Sequence, residues 1–261
     1  MSEEWGASRE EQQEKFDDAI TQQQSDLAET ERRRGSDDPA TLKARVELAF
    51  SYWSAGRTEE AIGIEESLVV DSERILGADH PGTLTARSNL ASSYWSAGRN
   101  DDAISIEEGV LADSERVLGT GDIGTITARA NLAFSYSSAG RTSEAIEIQE
   151  RVLADRERVL GPDAPDTIEA REKLLNAYWS VERNDDAIAM QESMVARSVQ
   201  ALGEEDLETL NLRANLASSY RQAGRTQQAT ELQRLLVADF ERILGADHPA
   251  TQGAKRMLEL G

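Results

Sequence analysis

Cysteine is absent from this 261-residue chain, which rules out disulfides and thiolate metal sites. Aromatic residues make up 5% of the sequence, and there are only two histidines and five prolines. No long apolar run occurs. SLVV at residues 67–70 is typical of the aliphatic stretches, so no segment is expected to span a bilayer. The first residues, MSEEWGASREE, are acidic and read as no secretory signal, and the expectation is a cytoplasmic protein. Runs of Lys and Arg are also missing, since ERRR at residues 31–34 is short and flanked by acids. Acidic side chains are abundant: 49 Asp and Glu stand against 28 Lys and Arg, a formal net charge of −21. Such a molecule repels phosphate backbones and anionic membrane surfaces, so neither nucleic acid nor membrane is expected as a partner. With 39% hydrophobic and 30% charged residues, composition alone leans toward a solvated chain. Periodicity overrules it.

The heptapeptide SYWSAGR at residues 51–57 returns letter for letter at 93–99, 42 positions on. At the same shift Thr41, Thr83, Thr125, Thr167, Thr209 and Thr251 fall into register, as do Tyr52, Tyr94, Tyr136, Tyr178 and Tyr220. ILGADHP at 75–81 recurs at 243–249, four periods later. A fixed period of this size marks a solenoid, in which each unit buries its apolar face only against its neighbours.

Within one unit, Leu42, Leu48, Ala49, Tyr52 and Ala55 lie at helical spacing and Gly56 stands where a helix C-cap needs a left-handed residue. This predicts a helix A. A helix B is predicted to start at Thr58, with its hydroxyl capping the exposed amides and Glu59 and Glu60 complementing the dipole. Ile62, Ile64, Leu68, Val69, Ile75 and Leu76 form its apolar stripe, Gly77 ends it, and Pro81 opens the next helix A. Each unit is therefore expected to be a helical hairpin.

Leu48, Ala49, Tyr52 and Ala61, recurring in five units, resemble the pattern of the tetratricopeptide repeat (TPR) family. Two positions depart from it: Arg45 and Glu65 stand where aromatics are usual. The period also exceeds the common one of about 34 residues, enough for roughly one more turn per helix. Asn89-Leu90-Ala91, Asn131-Leu132-Ala133 and the ILGADHP link are similar to the kinesin light chain variety and its bacterial relatives. The resemblance implies an all-α, right-handed superhelical solenoid of tandem helix-turn-helix repeats whose helices A line a concave groove, acting as a docking module for peptides or proteins.

The terminal half-units are polar where internal ones are apolar. Gln22, Asp26, Arg33 and Arg34 replace Ile64, Leu68, Ile75 and Leu76, while Gln252 and Glu259 replace Leu84 and Ala91. Polar ends are what an array needs for solubility, so both terminal helices read as caps. The expected organisation is one array: an N-terminal capping helix in 1–37, repeats at 38–79, 80–121, 122–163, 164–205 and 206–247, and a C-terminal capping helix in 248–261.

At about 100° per residue, Lys43, Val46, Glu47, Phe50 and Ser54 point away from the core stripe of helix A. The candidate peptide-binding residues on this face are Phe50, Asn89, Asn131, Phe134, Asn176 and Asn215, with Trp53, Trp95, Trp179 and Arg221 at its edge. An asparagine amide offers both donors and an acceptor, so Asn89, Asn131 and Asn215 can pair with the main chain of an extended peptide whatever its sequence. In the family they resemble, such asparagines hold the ligand backbone. Lys173 interrupts the series. The tryptophans suit either an apolar anchor of the partner or packing between hairpins. Lys43, Lys173 and Arg221 balance Glu47, Glu169 and Glu172, so the groove is expected to be neutral. Arg45, Arg87, Arg129, Arg171 and Arg213 lie in the core stripe and are expected to pair with Asp71, Asp113, Asp155 or nearby glutamates.

Catalytic signatures are sparse. His80 and His248 occupy the same repeat position four periods apart, and there is no glycine-rich phosphate loop, EF-hand or paired-His motif. The expected function is a non-catalytic scaffold without cofactor or metal that binds a peptide or protein partner. The rival readings are a self-assembling structural module, with Met257, Leu258 and Leu260 at the seam, or an engineered array of near-identical units without a natural ligand.

Overall fold

A computed structural model of the chain describes residues 2–259, with the side chains of 2–10 and 12 outside the description. Among the described residues there are twelve α-helices and no strand. They divide into two compact units, residues 1–170 and 171–261. The first holds α1 (Ser2–Arg34), α2 (Pro39–Ser54), α3 (Thr58–Leu76), α4 (Pro81–Ser96), α5 (Asn100–Val117), α6 (Ile123–Ser138) and α7 (Thr142–Val159). The second holds α9 (Asn184–Leu202), α10 (Leu207–Gln222), α11 (Thr226–Leu244) and α12 (Pro249–Glu259), and α8 (Pro165–Ser180) contains the division point. From α1 to α7, and again from α9 to α12, each helix packs on the next in sequence.

The core is a chain of small clusters. Leu48, Tyr52 and Ala61 bury with Ile20 of α1, and one period on Leu90, Tyr94 and Ala103 bury with Ile62 of α3. Leu132, Tyr136 and Ala145 repeat this around Ile104, and in the second unit Leu216, Tyr220 and Ala229 do so around Ile188. A small residue in helix B thus lets the tyrosine of helix A approach closely. The tyrosine hydroxyl then reaches the preceding helix B: Tyr94 donates to Glu66 at 2.7 Å and Tyr220 to Glu192 at 2.5 Å. Burial and the Glu192 carboxylate push the Tyr220 hydroxyl up to about 12, which keeps it a donor.

The in-register threonines are 0% exposed. Thr41 donates to the carbonyl of Gly35 at 2.7 Å, Thr83 to Gly77 at 2.8 Å, Thr125 to Ser114 at 3.1 Å and Thr251 to Gly245 at 2.8 Å. Each ties the start of a helix A to the helix before it, leaving no freedom for the register to slip. Asp38, Asp122 and Asp206 accept from backbone amides as N-caps, and the histidines do the same: His80 Nδ1 accepts from Gly82 at 3.0 Å and His248 Nδ1 from Ala250 at 3.2 Å.

The start of helix B differs from expectation. Thr58, Asn100, Thr142, Asn184 and Thr226 are the first helical residues, and the cap positions belong to Arg57, Arg99, Arg141, Arg183 and Arg225, without a side-chain cap bond. The turn is only two residues past Gly56, whose φ of 74° closes it, and the Arg57 amide is already used by the carbonyl of Tyr52 at 2.8 Å. The arginine side chain works instead on helix B: Arg57 Nε donates to Glu60 at 2.8 Å while its guanidinium lies 4.7 Å from the Tyr52 ring centre. Leu76, expected in the apolar stripe, is exposed because α3 ends there and its side chain lies against the backbone of Gly82.

The recurrent arginines of helix A are clamped between carboxylates of two helices. Arg45 pairs with Asp71 at 2.7 Å and Glu31 at 2.8 Å, and Arg87 with Asp113 at 2.8 Å and Glu73 at 2.6 Å. Arg129, among the most buried, pairs with Asp155 at 2.5 Å and Glu115 at 2.7 Å. The end helices are polar outward, with Gln22 and Asp26 bonded to each other on the exposed face of α1 and Glu259 exposed on α12. Met257 and Leu258 are half-buried, and Leu260 lies outside the described residues.

Candidate functional site

In the first unit, the faces of α2, α4 and α6 opposite their core stripes form two clefts. The larger, about 680 Å³, is lined by Gln23 of α1, Val46, Glu47, Phe50 and Trp53 of α2, Glu65 of α3, and Asn89, Ser92 and Ser93 of α4. The second, about 200 Å³, is lined by Trp53, Ser92, Trp95, Ser96, Glu107 of α5, and Asn131, Phe134 and Ser135 of α6. The two share Trp53 and Ser92, and their linings correspond at the 42-residue shift: Asn89 to Asn131, Glu65 to Glu107, Ser93 to Ser135. Each cleft is therefore a repeat of one design, with two successive helices A as walls and the intervening helix B as floor.

Aromatic side chains form the rims. Phe50 is 64% exposed and stacks on Trp53 with ring centres 6.0 Å apart, and Trp95 meets Phe134 edge-on at 4.9 Å. Trp53 Nε1 donates to Ser96 Oγ at 2.8 Å, which holds the ring across the gap between α2 and α4. Trp53 thus joins neighbouring hairpins and lines both clefts. So large an uncovered aromatic surface among clefts is what a binding face requires.

Asn89 and Asn131 line the walls, and their side chains make no hydrogen bond among the described residues. In the second unit, Asn176 and Asn215 are likewise exposed. Trp179 packs instead on the cluster of Ile188, Leu216, Tyr220 and Ala229. Arg221 is partly buried and donates to the carbonyl of Met257 at 3.1 Å, so it serves the joint between α10 and α12.

The floor of the clefts is the part that the sequence pattern did not reveal as a site. Glu65 and Glu107 are 8% and 5% exposed. Ser93 and Ser135 hydrogen-bond them, while the Oε2 of each has no partner. Burial pushes both carboxyls above the usual carboxylate range, against the smaller opposing effect of the serine bonds. The linings of both clefts hold carboxylates and no Lys, Arg or His among the described residues, and Lys43 is occupied by Glu47 at 3.6 Å. A signal existed. Position 65 recurs as Glu107, Gln149, Gln191 and Gln233, a polar residue set between the apolar positions Ile62 and Leu68 of helix B.

Among the described residues, no group of three or more His, Asp or Glu is suited to a metal ion and no helix is long and apolar enough to cross a membrane.

Repeated hairpins with an uncovered, aromatic-rimmed helix-A face define a helical-repeat protein of the interaction-scaffold class. A tetratricopeptide repeat profile matches residues 41–82, 83–123 and 209–250, and a second one matches 124–198. The chain belongs to the tetratricopeptide repeat family, and its units are of the kinesin light chain-like kind. A Podosopora anserina protein, described as a kinesin light chain with nearly identical TPR-like repeats, is similar at 27% identity and TM-score 0.63, covering 78% of this chain and 97% of that one. BtubC (BKLC) from P. vanneervenii shares the fold at 22% identity and TM-score 0.63, covering 90% and 94%. A Rap protein complexed with Competence and Sporulation Factor shares it at 13% identity and TM-score 0.53, covering 97% and 71%. The comparison with curated proteins returned no match. Tetratricopeptide repeats are in general non-catalytic modules for binding other proteins, and this chain has that architecture.

Proposed function

We propose that the chain is a non-catalytic scaffold that binds an extended peptide segment of a partner protein along the helix-A face of its first unit. The observation that carries this reading is the pair of corresponding clefts joined through Trp53, each offering an unengaged asparagine amide on one wall and bare aromatic rings at the rim. Asn89 and Asn131 pair with N–H and C=O groups of the peptide main chain, which makes affinity independent of sequence. Phe50, Trp53, Trp95 and Phe134 bury its side chains, which gives selectivity. Asn176 and Asn215 offer the same chemistry within the second unit. The Rap protein in complex with Competence and Sporulation Factor lends support, since it shows this fold holding a ligand.

The test is selection of an immobilised random peptide library by the whole chain, followed by affinity measurement on the enriched peptides. Changing Asn89 and Asn131 together to Ala is expected to weaken those peptides at least about tenfold with helicity unchanged in circular dichroism. Equal affinity of the double variant and the parent refutes the asparagine grip.

A further inference from the structure

Neither the aromatic rims nor the asparagines use the floor carboxylates. Gln23, Glu65, Glu107 and Gln149 of the first unit occupy one repeat position, and each leaves a side-chain oxygen buried without a hydrogen-bond partner. In α1 and α7 that open acceptor is neutral. In α3 and α5 it belongs to a carboxylate, and those two carboxylates are the floors of the two clefts.

An unpaired carboxylate oxygen more than nine-tenths buried is costly unless something in the bound state answers it. Among the described residues no group answers it here. The cations described near this face are engaged elsewhere: Lys43 by Glu47, and the guanidiniums of Arg45, Arg87 and Arg129 by aspartates and glutamates of helix B. An apolar ligand side chain in the cleft leaves the carboxylate bare, and an acidic one opposes it. A basic side chain satisfies it and also meets the faces of Phe50, Trp53, Trp95 and Phe134, which attract cations electrostatically.

Repetition adds a second constraint. Glu65 and Glu107 stand at the same position of successive repeats, so one extended ligand that crosses both clefts meets both carboxylates in turn.

Resting on the peptide-binding reading above, we propose that Glu65 and Glu107 are specificity residues for basic side chains. The first unit binds a partner segment carrying two Lys or Arg, one seated over Glu65 and the other over Glu107. The formal charge of −21 draws such a partner in from a distance.

The probe is the same immobilised random library, with the enriched peptides resynthesised so that each Lys or Arg becomes norleucine. Enriched peptides are expected to carry two basic residues, and each norleucine replacement to weaken binding about tenfold. Glu65→Gln and Glu107→Gln are each expected to erase the penalty of one replacement, so that the basic peptide and its norleucine form bind that variant alike. Gln already occupies this position in α7 and α9, so the variants keep the fold, which circular dichroism verifies. Enrichment without basic residues, or basic peptides that bind the Gln variants as tightly as the parent, overturns the cation reading. In that case sensitivity to loss of Asn89 and Asn131 still sustains the peptide groove. A library from which nothing is enriched overturns both.

Discussion

Glu65 sits one helical turn from Ile62 and Leu68, in the apolar stripe of α3, and folding must desolvate it with only Ser93 as partner. Its folded-state carboxyl is raised above the unfolded one, so the native state holds the extra proton. Stability is therefore lost as pH rises through the unfolded value of about 4.3 toward the folded one, and the full penalty stands above it. Glu65→Gln removes the charge and puts an amide of nearly the same shape in place of the carboxyl. It is expected to raise unfolding free energy by about 1 kcal/mol at neutral pH. The gain should vanish in urea titrations near pH 4, below both values. A gain that is equal at both pH values contradicts a desolvated charge. A second pair of residues isolates the hydrogen bond. Thr83 donates to Gly77, whereas Thr167, equally buried, has an Oγ1 without partner. Thr83→Val is expected to cost about 1 kcal/mol and Thr167→Val nothing or less, measured by chemical denaturation. Both positions look identical in sequence.

At the scale of the element, the turn between helices A and B needs a left-handed residue. Gly56, Gly98, Gly140 and Gly224 supply it with φ of 73–76°, but in the turn after α8 the position is Glu182 at φ 60°. A side chain there crowds the following carbonyl at a cost of about 1–2 kcal/mol, partly offset by the greater unfolded-state entropy of glycine. Glu182→Gly is thus expected to stabilise the chain by about 1 kcal/mol, read from the denaturation midpoint. The helices themselves were largely legible. Gly56, Gly77 and Pro81 punctuate the chain where α2, α3 and α4 end or begin. Thr58 misled as a cap because the two-residue turn leaves Arg57 as the last non-helical residue, and a cap must be non-helical.

For the whole molecule, 49 acidic against 28 basic residues mean that self-repulsion opposes compaction. The ion pairs are mostly half-exposed, as with Arg74 and Asp37 at 53% exposure each, and such pairs contribute little. Screening should relieve the repulsion more than it weakens the pairs. The thermal midpoint followed by circular dichroism is therefore expected to rise between about 0.01 M and 1 M salt, over which the screening length shrinks from roughly 30 Å to 3 Å. A falling midpoint would assign more stability to the ion-pair network than its exposure suggests. Solenoid units contact only their neighbours, so local substitutions such as Thr83→Val act on hairpins next to them.

The 42-residue register, the hairpin, the polar ends and the face of helix A that carries Phe50, Asn89, Asn131 and Phe134 were set by sequence alone. These features depend on spacing within a helix or on identity between units, and both are local. The tertiary structure decided what lies between helices. Trp53 reaches Ser96 across 43 residues, Arg45 reaches Asp71 across 26, and Ser93 comes down on Glu65. None of these pairs has a helical spacing, because each forms only when one helix packs against another. The same stacking turned Glu65 and Glu107, which one sequence reads as departures from a pattern, into the buried floors of two clefts. Burial and the want of a partner atom are properties of packed neighbours, and no residue carries them by itself.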